Sequence, residues 1–141
     1  MNARCVLGMV GSDKHNKGIR TLSRMFRDHG LEVIYIGEYN TPAQVVSAAV
    51  SEDVDFIGLS FSNGNYVARL GEVLAELRAA DADDIAVIAG GLIHDEDVAE
   101  LERIGVAAVF GPGAQHRSIL EWVDSAIIQQ KVAADAVGER P

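Results

Sequence analysis

The sequence has little of three features that would assign it to a specialised class. Among 141 residues there is one cysteine, Cys5, so no disulfide can form within the chain and a reducing compartment is expected. Twelve Lys and Arg face twenty-one Asp and Glu, for a net charge of -9, and no basic cluster is present of the kind that nucleic acid requires. No apolar run approaches the length of a membrane span, and the N-terminus lacks the pattern of a signal peptide. We therefore expect a cytoplasmic protein with no nucleic-acid or membrane partner.

Short apolar runs alternate with amphipathic helical patterns from end to end. The strand-like runs are Arg4–Val10, Glu32–Gly37, Asp55–Ser60, Ile85–Gly90 and Ala107–Phe110. Each is bounded by glycine or polar residues, as is typical of strands that are buried on both faces. Five strand–helix units predict an α/β fold: a flavodoxin-like, doubly wound, five-stranded parallel sheet with strand order 2-1-3-4-5.

Apolar spacing and capping residues locate the helices between these strands. Residues predicted to share a buried helix face are Ile19, Leu22 and Phe26; Leu70, Val73, Leu74 and Leu77; and Ile119, Val123 and Ile127. The run Thr41-Pro42-Ala43-Gln44 carries the signature of a capping box, and a fourth helix is predicted to begin near Asp95. The helical periodicity stops at about Lys131, so we predict one domain over residues 1–131 and a flexible tail over 132–141.

Four loops rich in Gly, Ser or Asn are expected at the carboxyl edge of this sheet, where ligands of such folds bind. The first, Gly11–Gly18, places His15 on a glycine-flanked loop with Asp13 two residues before it. An imidazole there can ligate a metal while a carboxylate holds its other ring nitrogen. Taken alone, His15 fits a surface or helix-capping residue equally well, and Asp13 fits an Asx turn.

The loops taken in order resemble a known family. The pattern Asp13-x-His15-x-x-Gly18, then Ser60-x-Ser62, then Gly90-Gly91 resembles the cobalamin-binding domain of adenosylcobalamin-dependent mutases, over roughly Val6 to Val123. The chain is most similar to the small subunits of acyl-CoA mutases of the methylmalonyl- and isobutyryl-CoA type. It is also similar to the small subunit of glutamate mutase. The resemblance implies a Rossmann-like cobalamin-binding fold.

The resemblance further implies a cofactor, its ligand and a partner. Adenosylcobalamin would be held with its own base displaced, His15 would be the lower cobalt ligand, and Asp13 would hydrogen-bond that imidazole. The expected cofactor-binding residues are Ser12, Asp13, His15, Gly18, Ser60, Ser62, Gly90, Gly91, Gly111 and Gly113. The chain would contribute no catalytic residue of its own. It would act as one subunit of an isomerase, whose larger TIM-barrel subunit binds an acyl-CoA or amino-acid substrate; rim residues such as His116 could meet that partner.

The sequence departs from the family pattern at two positions, and separately its function is open to more than one interpretation. Ser62 stands where the family has leucine, and His94 stands where acyl-CoA mutases often carry proline; the simplest interpretation of His94 is an exposed residue at a helix entry. The same histidine loop would serve a corrinoid carrier of a methyltransferase system, although the helical domain that usually precedes such proteins is not expected here. The pattern also fits a module that stores or senses cobalamin, and the fold alone fits a flavodoxin-like domain without corrinoid.

Overall fold

The computed structural model describes residues 3–11, 16–112 and 114–138. These residues form a five-stranded sheet in the order β2-β1-β3-β4-β5, in which every neighbouring pair is parallel. The strands are β1 (Arg4–Val10), β2 (Glu32–Asn40), β3 (Phe56–Phe61), β4 (Ala86–Gly91) and β5 (Ala108–Phe110). The helices are α1 (Lys17–Asp28), α2 (Pro42–Ser51), α3 (Tyr66–Ala79), α4 (Asp95–Ile104), α5 (His116–Trp122) and α6 (Gln129–Gly138). The predicted fold class and strand order are confirmed.

Strand β2 runs three residues beyond the predicted end at Gly37. The extension is irregular, because the register against β1 shifts and Gly37 and Tyr39 have φ values of 74° and 65°. The side chain of Asn40 stabilises it: Nδ2 donates to the carbonyl oxygen of Met9 at 3.0 Å and to that of Gly37 at 2.9 Å. Glycine with a left-handed backbone is typical of a strand end, so the sequence alone does not reveal that pairing resumes afterwards.

The two faces of the sheet carry separate hydrophobic cores. On one face, which we call the α2–α4 face, β1, β3 and β4 pack against α2, α3 and α4 through residues such as Val45, Leu70 and Leu101. On the other, the α1/α5 face, the same strands pack against α1, α5 and a π-helical segment, Val123–Ile128. Helices on both faces bury most of the three central strands, as predicted, whereas the edge strands β2 and β5 are half-buried or exposed.

The alternation of side chains along β3 makes these two faces unequal. Ile57, Leu59 and Phe61 belong to the core of the α2–α4 face. Phe56 belongs to the core of the opposite face, and the strand period of two puts Gly58 and Ser60 on that side as well. Large side chains therefore continue to the carboxyl end of β3 on one face and stop short of it on the other.

Local helix signals are confirmed where they rest on short-range chemistry. Thr41 Oγ1 accepts from the Gln44 N–H and the Gln44 side chain accepts from the Thr41 N–H, which completes the capping box. Helix α4 begins at Asp95 as expected, and the apolar stripe of α3 is buried. Within the described residues no helix is both long and apolar enough to span a bilayer.

The C-terminal segment differs from its prediction. The loss of apolar periodicity after about Lys131 does not end the helix, because α6 continues to Gly138. Val132 lies exposed on it, and Lys131 Nζ is 3.2 Å from Asp55 Oδ1, just before β3. Polar contacts and helix propensity stabilise a helix that has no buried apolar face, and hydrophobic periodicity reports neither of them. The backbone over residues 132–138 is therefore helical, and the domain boundary at residue 131 and the flexibility of the segment after it stay predictions.

Cys5 is fully buried in β1, as the sequence predicts for a small core residue. Burial raises the pKa of its thiol to about 12. The thiol therefore stays protonated and unreactive at neutral pH, because the thiolate is the reactive form.

Candidate functional site

A cavity of about 170 Å³ opens at the carboxyl ends of β3 and β4, on the α1/α5 face. This volume is far more than the 10–15 Å³ or so that a single buried water needs. Its apolar walls come from Ile19 and Leu22 of α1, Ile88 and Phe110 of β4 and β5, and Ile119 of α5. The Ser60 side chain is the polar group contributed by the end of β3. The cavity is therefore suited to a flat, largely apolar group that offers a few hydrogen-bonding atoms.

The cavity exists because small residues meet where large side chains would otherwise fill the core. Ser60 pairs with Gly90 across the β3–β4 ladder. A Cβ on Gly90 would lie 3.2 Å from the Phe110 carbonyl oxygen, whereas a Cβ on Gly18 would project into open space. Gly58 lies in the middle of β3, and the Leu7 side chain occupies the space beside it. A Cβ on Gly58 would lie 2.6 Å from Leu7 Cδ2. The glycines thus form a cradle that side chains at Gly18 and Gly90 would narrow.

Gly91 has a different role from Gly90. Its φ is 101°, and a Cβ there would lie 2.2 Å from the carbonyl oxygen of Phe61. That close approach lets Leu92 N–H donate to the same Phe61 oxygen at 2.8 Å, which joins the end of β4 to the end of β3. Only glycine satisfies both the left-handed backbone and the contact.

The loop after β4 is fixed from behind by Tyr66, the first residue of α3. The Tyr66 hydroxyl donates to the Asp97 carboxylate and accepts from the His94 N–H, the latter at 2.9 Å. Burial, followed by the hydrogen bond to Asp97, raises the pKa of this phenol, so it remains a donor at neutral pH. The Tyr66 and His94 rings also contact each other. The wall that carries Gly91 is therefore held in one position, although His94 itself is exposed as predicted.

Five of the ten predicted site residues line this one cavity. They are Gly18, Ser60, Gly90, Gly91 and Gly111. Ser62 follows β3, is half-buried and does not line the cavity. Ser12, Asp13, His15 and Gly113 lie outside the described residues. The loop that carries His15 is flanked by two described contacts: Gly11 N–H donates to Asn40 O at 2.9 Å, and the Asn16 amide donates to Glu38.

The structure adds cavity residues that the sequence did not assign to the site. His116, predicted only as a rim residue, lines the cavity from the start of α5, and Gly58 lines it from within β3. A glycine inside an apolar strand is the one signal that could have drawn attention to Gly58. Within the described ranges, no three His, Cys, Asp or Glu side chains gather as a metal-binding group. The polar side chains that line the described part of the cavity are those of Ser60 and His116.

A protein-family model described as the B12 binding domain matches residues 3–120. The matched range includes β1 to β5, the cavity and the loop that carries His15.

Curated relatives include two free-standing subunits of similar length. The chain is 36% identical over 124 residues to the 2-hydroxyisobutanoyl-CoA mutase small subunit of Aquincola tertiaricarbonis, which covers 88% of this chain and 91% of that subunit. It is 35% identical over 136 residues to the pivalyl-CoA mutase small subunit of Xanthobacter autotrophicus, covering 96% and 90%. It is 41% identical over 107 residues to the ethylmalonyl-CoA mutase of Cereibacter sphaeroides, of which it spans only 16%.

Solved structures agree on the fold. A cobalamin-binding protein from Desulfitobacterium hafniense superposes with a TM-score of 0.68 at 26% identity, covering 76% of this chain and 52% of that one. A signal receiver domain from Vibrio parahaemolyticus reaches a TM-score of 0.71 at 11% identity, with both chains fully covered. Because the second likeness shows the fold alone, the architecture by itself does not separate a cofactor-binding domain from a receiver domain.

Proposed function

Since the chain belongs to the B12-binding domain family, we propose that it is the cobalamin-binding small subunit of an adenosylcobalamin-dependent acyl-CoA mutase. Cobalamin is the cofactor that family membership implies, and small subunits of two acyl-CoA mutases are similar to this chain over most of its length. The base-displaced binding mode, the cobalt ligand, the adenosyl form and the large partner are parts of this proposal.

The observation that carries the proposal is the cavity at the ends of β3 and β4. Its apolar walls and the Ser60 side chain fit a planar heteroaromatic group such as the nucleotide base of cobalamin, and the glycine cradle leaves room for it. A Cβ on Gly18 would occupy space that is open in the structure. The residues present therefore fit the cofactor that the family implies.

Each proposed residue has a defined task toward the cofactor. Ser60 would hydrogen-bond the base, while Gly18, Gly90 and Gly111 would keep its slot open. His15 would be the lower ligand of cobalt, and Asp13 would accept from its other ring N–H and so fix the tautomer that binds metal. When bound, the cofactor supplies the radical chemistry of carbon-skeleton rearrangement. This chain binds it, orients it and shields its base from water.

The substrate would be bound by a separate, larger subunit. The two relatives of which this chain covers 91% and 90% are both named small subunits. The proposed partner is a TIM-barrel subunit that binds an acyl-CoA thioester, the substrate class in the names of the two small-subunit relatives. The carboxyl edge of the sheet, where the cavity opens, would face it.

Paramagnetic resonance on the cobalt(II) form tests the ligand. The chain, with nitrogen-15 in its histidines, is mixed with cobalamin and reduced. We expect hyperfine splitting from a protein nitrogen that changes on labelling and is lost in His15→Ala. The matched control is His29→Ala, because His29 lies at the far end of α1, 2.7 Å from Asp124. Cobalamin that keeps its own base on cobalt, or splitting that survives in His15→Ala, contradicts the proposed binding mode.

Filling the cavity tests the slot independently of the ligand. We expect Ser60→Leu to weaken cobalamin binding by more than about tenfold, since overpacking of a filled site typically costs 1–3 kcal/mol or so. Ser47→Leu adds the same atoms on the exposed surface of α2 and should leave affinity unchanged. Equal affinity of both variants in an absorbance titration would place the binding elsewhere.

Reconstitution tests the enzymatic assignment. Co-expression with the mutase large subunit of the same genome should give acyl-CoA isomerisation that depends on this chain and on adenosylcobalamin. Tight cobalamin binding without any such complex would favour a storage or sensing module instead.

A further inference from the structure

A second cleft, of about 390 Å³, lies between α1 and β2. Its lining shares no residue with the cavity described above. Helix α1 serves both, because Gly18, Ile19 and Leu22 face the first cavity while Arg20 and Ser23 line the cleft. A ligand in the cleft would therefore contact a different set of residues from a ligand in the cavity at the ends of β3 and β4.

Two buried hydroxyls in this cleft lack hydrogen-bond partners. Among the described side chains, Ser23 Oγ and Tyr35 OH are the buried polar atoms without a partner, and both residues line the cleft. Ser23 is only 3% exposed. Burial, followed by the charge of Glu38, raises the pKa of Tyr35, so its hydroxyl keeps its proton at neutral pH. Buried hydroxyls are normally satisfied by protein, water or ligand, and here the protein leaves that role open.

Three arginines of α1 line the same cleft as these hydroxyls. Arg20, Arg24 and Arg27 line the cleft, and spacings of four and three residues place them along one side of the helix. Within the described part of the chain none of them forms an ion pair or side-chain hydrogen bond. Other arginines do so: Arg4, Arg69, Arg103 and Arg117 each meet a carboxylate.

The charges in the cleft favour an anion. Two carboxylates, Asp28 and Glu38, also line it, and Glu38 accepts a hydrogen bond from Asn16. Three guanidinium groups against two carboxylates leave a formal charge of +1 in a protein whose net charge is -9. The unpaired groups are all donors, and guanidinium forks match tetrahedral oxyanions with several lone pairs.

From this convergence we propose that the cleft between α1 and β2 binds a phosphate group, held by Arg20, Arg24 and Arg27 and by the hydroxyls of Ser23 and Tyr35. The exposed arginine side chains rotate to admit the phosphate to the two hydroxyls beneath them. A phosphate binds between this arginine row and the edge strand β2. The site is independent of the cobalamin proposal, because it requires neither the first cavity nor His15.

The experiment uses the chain without cobalamin. Inorganic phosphate is titrated at constant ionic strength, with chloride as the reference anion, and the arginine Nε–Hε resonances are followed by NMR. Saturable shifts at Arg20, Arg24 and Arg27, and none at Arg78 of α3, are expected. Adenosine 5′-monophosphate is titrated in parallel: tighter binding identifies a phosphate ester as the ligand class, and binding of inorganic phosphate alone identifies the free ion. Absence of saturable shifts with both compounds overturns the proposal.

Matched variants separate a built site from general charge screening. Arg24→Gln should weaken phosphate binding by about tenfold, the usual worth of a hydrogen bond to a charged group. Arg78→Gln removes the same charge from an exposed position, and less than about a twofold change is expected there, as for a screened distant charge. Equal losses in the two variants would mean non-specific attraction and would contradict the site.

Substitution of Ser23 separates an effect on phosphate binding from an effect on stability. Because Ser23 Oγ is buried without a partner, Ser23→Ala should leave the phosphate-free chain as stable as before or more stable. The same variant should bind phosphate more weakly. Loss of stability without loss of binding would show that the hydroxyl is already satisfied, and the proposal would fail.

Discussion

The two faces of the sheet start from the same strands and end differently. On the α2–α4 face, Leu59 and Phe61 carry the core up to the carboxyl edge, where Tyr66 and Ile93 close it. On the α1/α5 face the core stops earlier and leaves a cavity of about 170 Å³. The pairing of β3 with β4 is in continuous register through the carboxyl edge, so the difference between the faces there follows side-chain size at alternate positions of β3.

This difference shows how a common α/β fold acquires a ligand slot. The α1/α5 face of β3 carries Phe56, Gly58 and Ser60 in order. The side chains on this face are therefore smaller near the carboxyl edge, where ligands bind in such folds. The slot is made by small residues at the ends of β3 and β4. The unequal faces predict unequal responses to substitution.

The largest effect is expected where a glycine holds backbones together. Gly91→Ala should cost about 4 kcal/mol or more of unfolding free energy, the range that marks severe strain. The cause is a Cβ placed 2.2 Å from Phe61 O at a φ of 101°. Gly64→Ala is the control, because nothing lies within 4 Å of a Cβ there. Similar denaturant midpoints for the two variants would show that the β3–β4 edge is looser than described.

A matched pair of leucine truncations measures the contrast between the faces. Leu70→Ala on the filled face should cost about 3 kcal/mol, as for a fully buried leucine. Leu22→Ala should cost only about 1 kcal/mol, because Leu22 is half-buried and already borders a cavity, so little new empty space is created. Urea denaturation compares the two. Equal losses would mean that the α1/α5 face is as tightly packed as the other.

Much of this asymmetry could be predicted from the sequence, but not all of it. The strand order is the one expected for a flavodoxin-like fold of five strand–helix units. The convergence of the predicted site residues follows from the position of each loop after its strand, because parallel strands bring their carboxyl ends to one edge. These residues are Gly18, Ser60, Gly90, Gly91 and Gly111. These are local patterns combined with one topological rule. The capping box at Thr41 is likewise fixed by four consecutive residues.

What the sequence did not predict depends on contacts between distant segments. The role of Gly58 appears only when Leu7, on the neighbouring strand, is seen to occupy the missing side chain's space. The arrival of His116 at the cavity depends on where α5 begins above the sheet. The continuation of β2 depends on Asn40 binding the end of β1. Hydrophobic periodicity carries none of this information, because each case is set by a partner far away in the chain.

A smaller effect is expected from the hydrogen bonds that fix the filled face to the cavity wall. Tyr66→Phe should cost about 2 kcal/mol, because it removes two hydrogen bonds of the phenol, one from the His94 N–H and one to the Asp97 carboxylate. Thermal denaturation against Tyr39→Phe, an exposed tyrosine, measures it. An unchanged melting temperature would mean that packing of the ring alone holds the loop after β4.

The smallest expected change in stability separates folding from binding. Gly18→Ala and Gly71→Ala both replace a helical glycine with no atom within 4 Å of the new Cβ, so each should raise the unfolding free energy by about 0.5–1 kcal/mol. Only Gly18 lines the cavity. The methyl group added in Gly18→Ala should weaken cobalamin binding by about tenfold, which corresponds to about 1.4 kcal/mol of overpacking. Gly71→Ala should bind cobalamin as the parent chain does. Two stabilised variants with equal cobalamin affinity would show that the open space beside Gly18 has no part in binding, and would restrict the slot to Ser60, the glycines of β4 and Gly111.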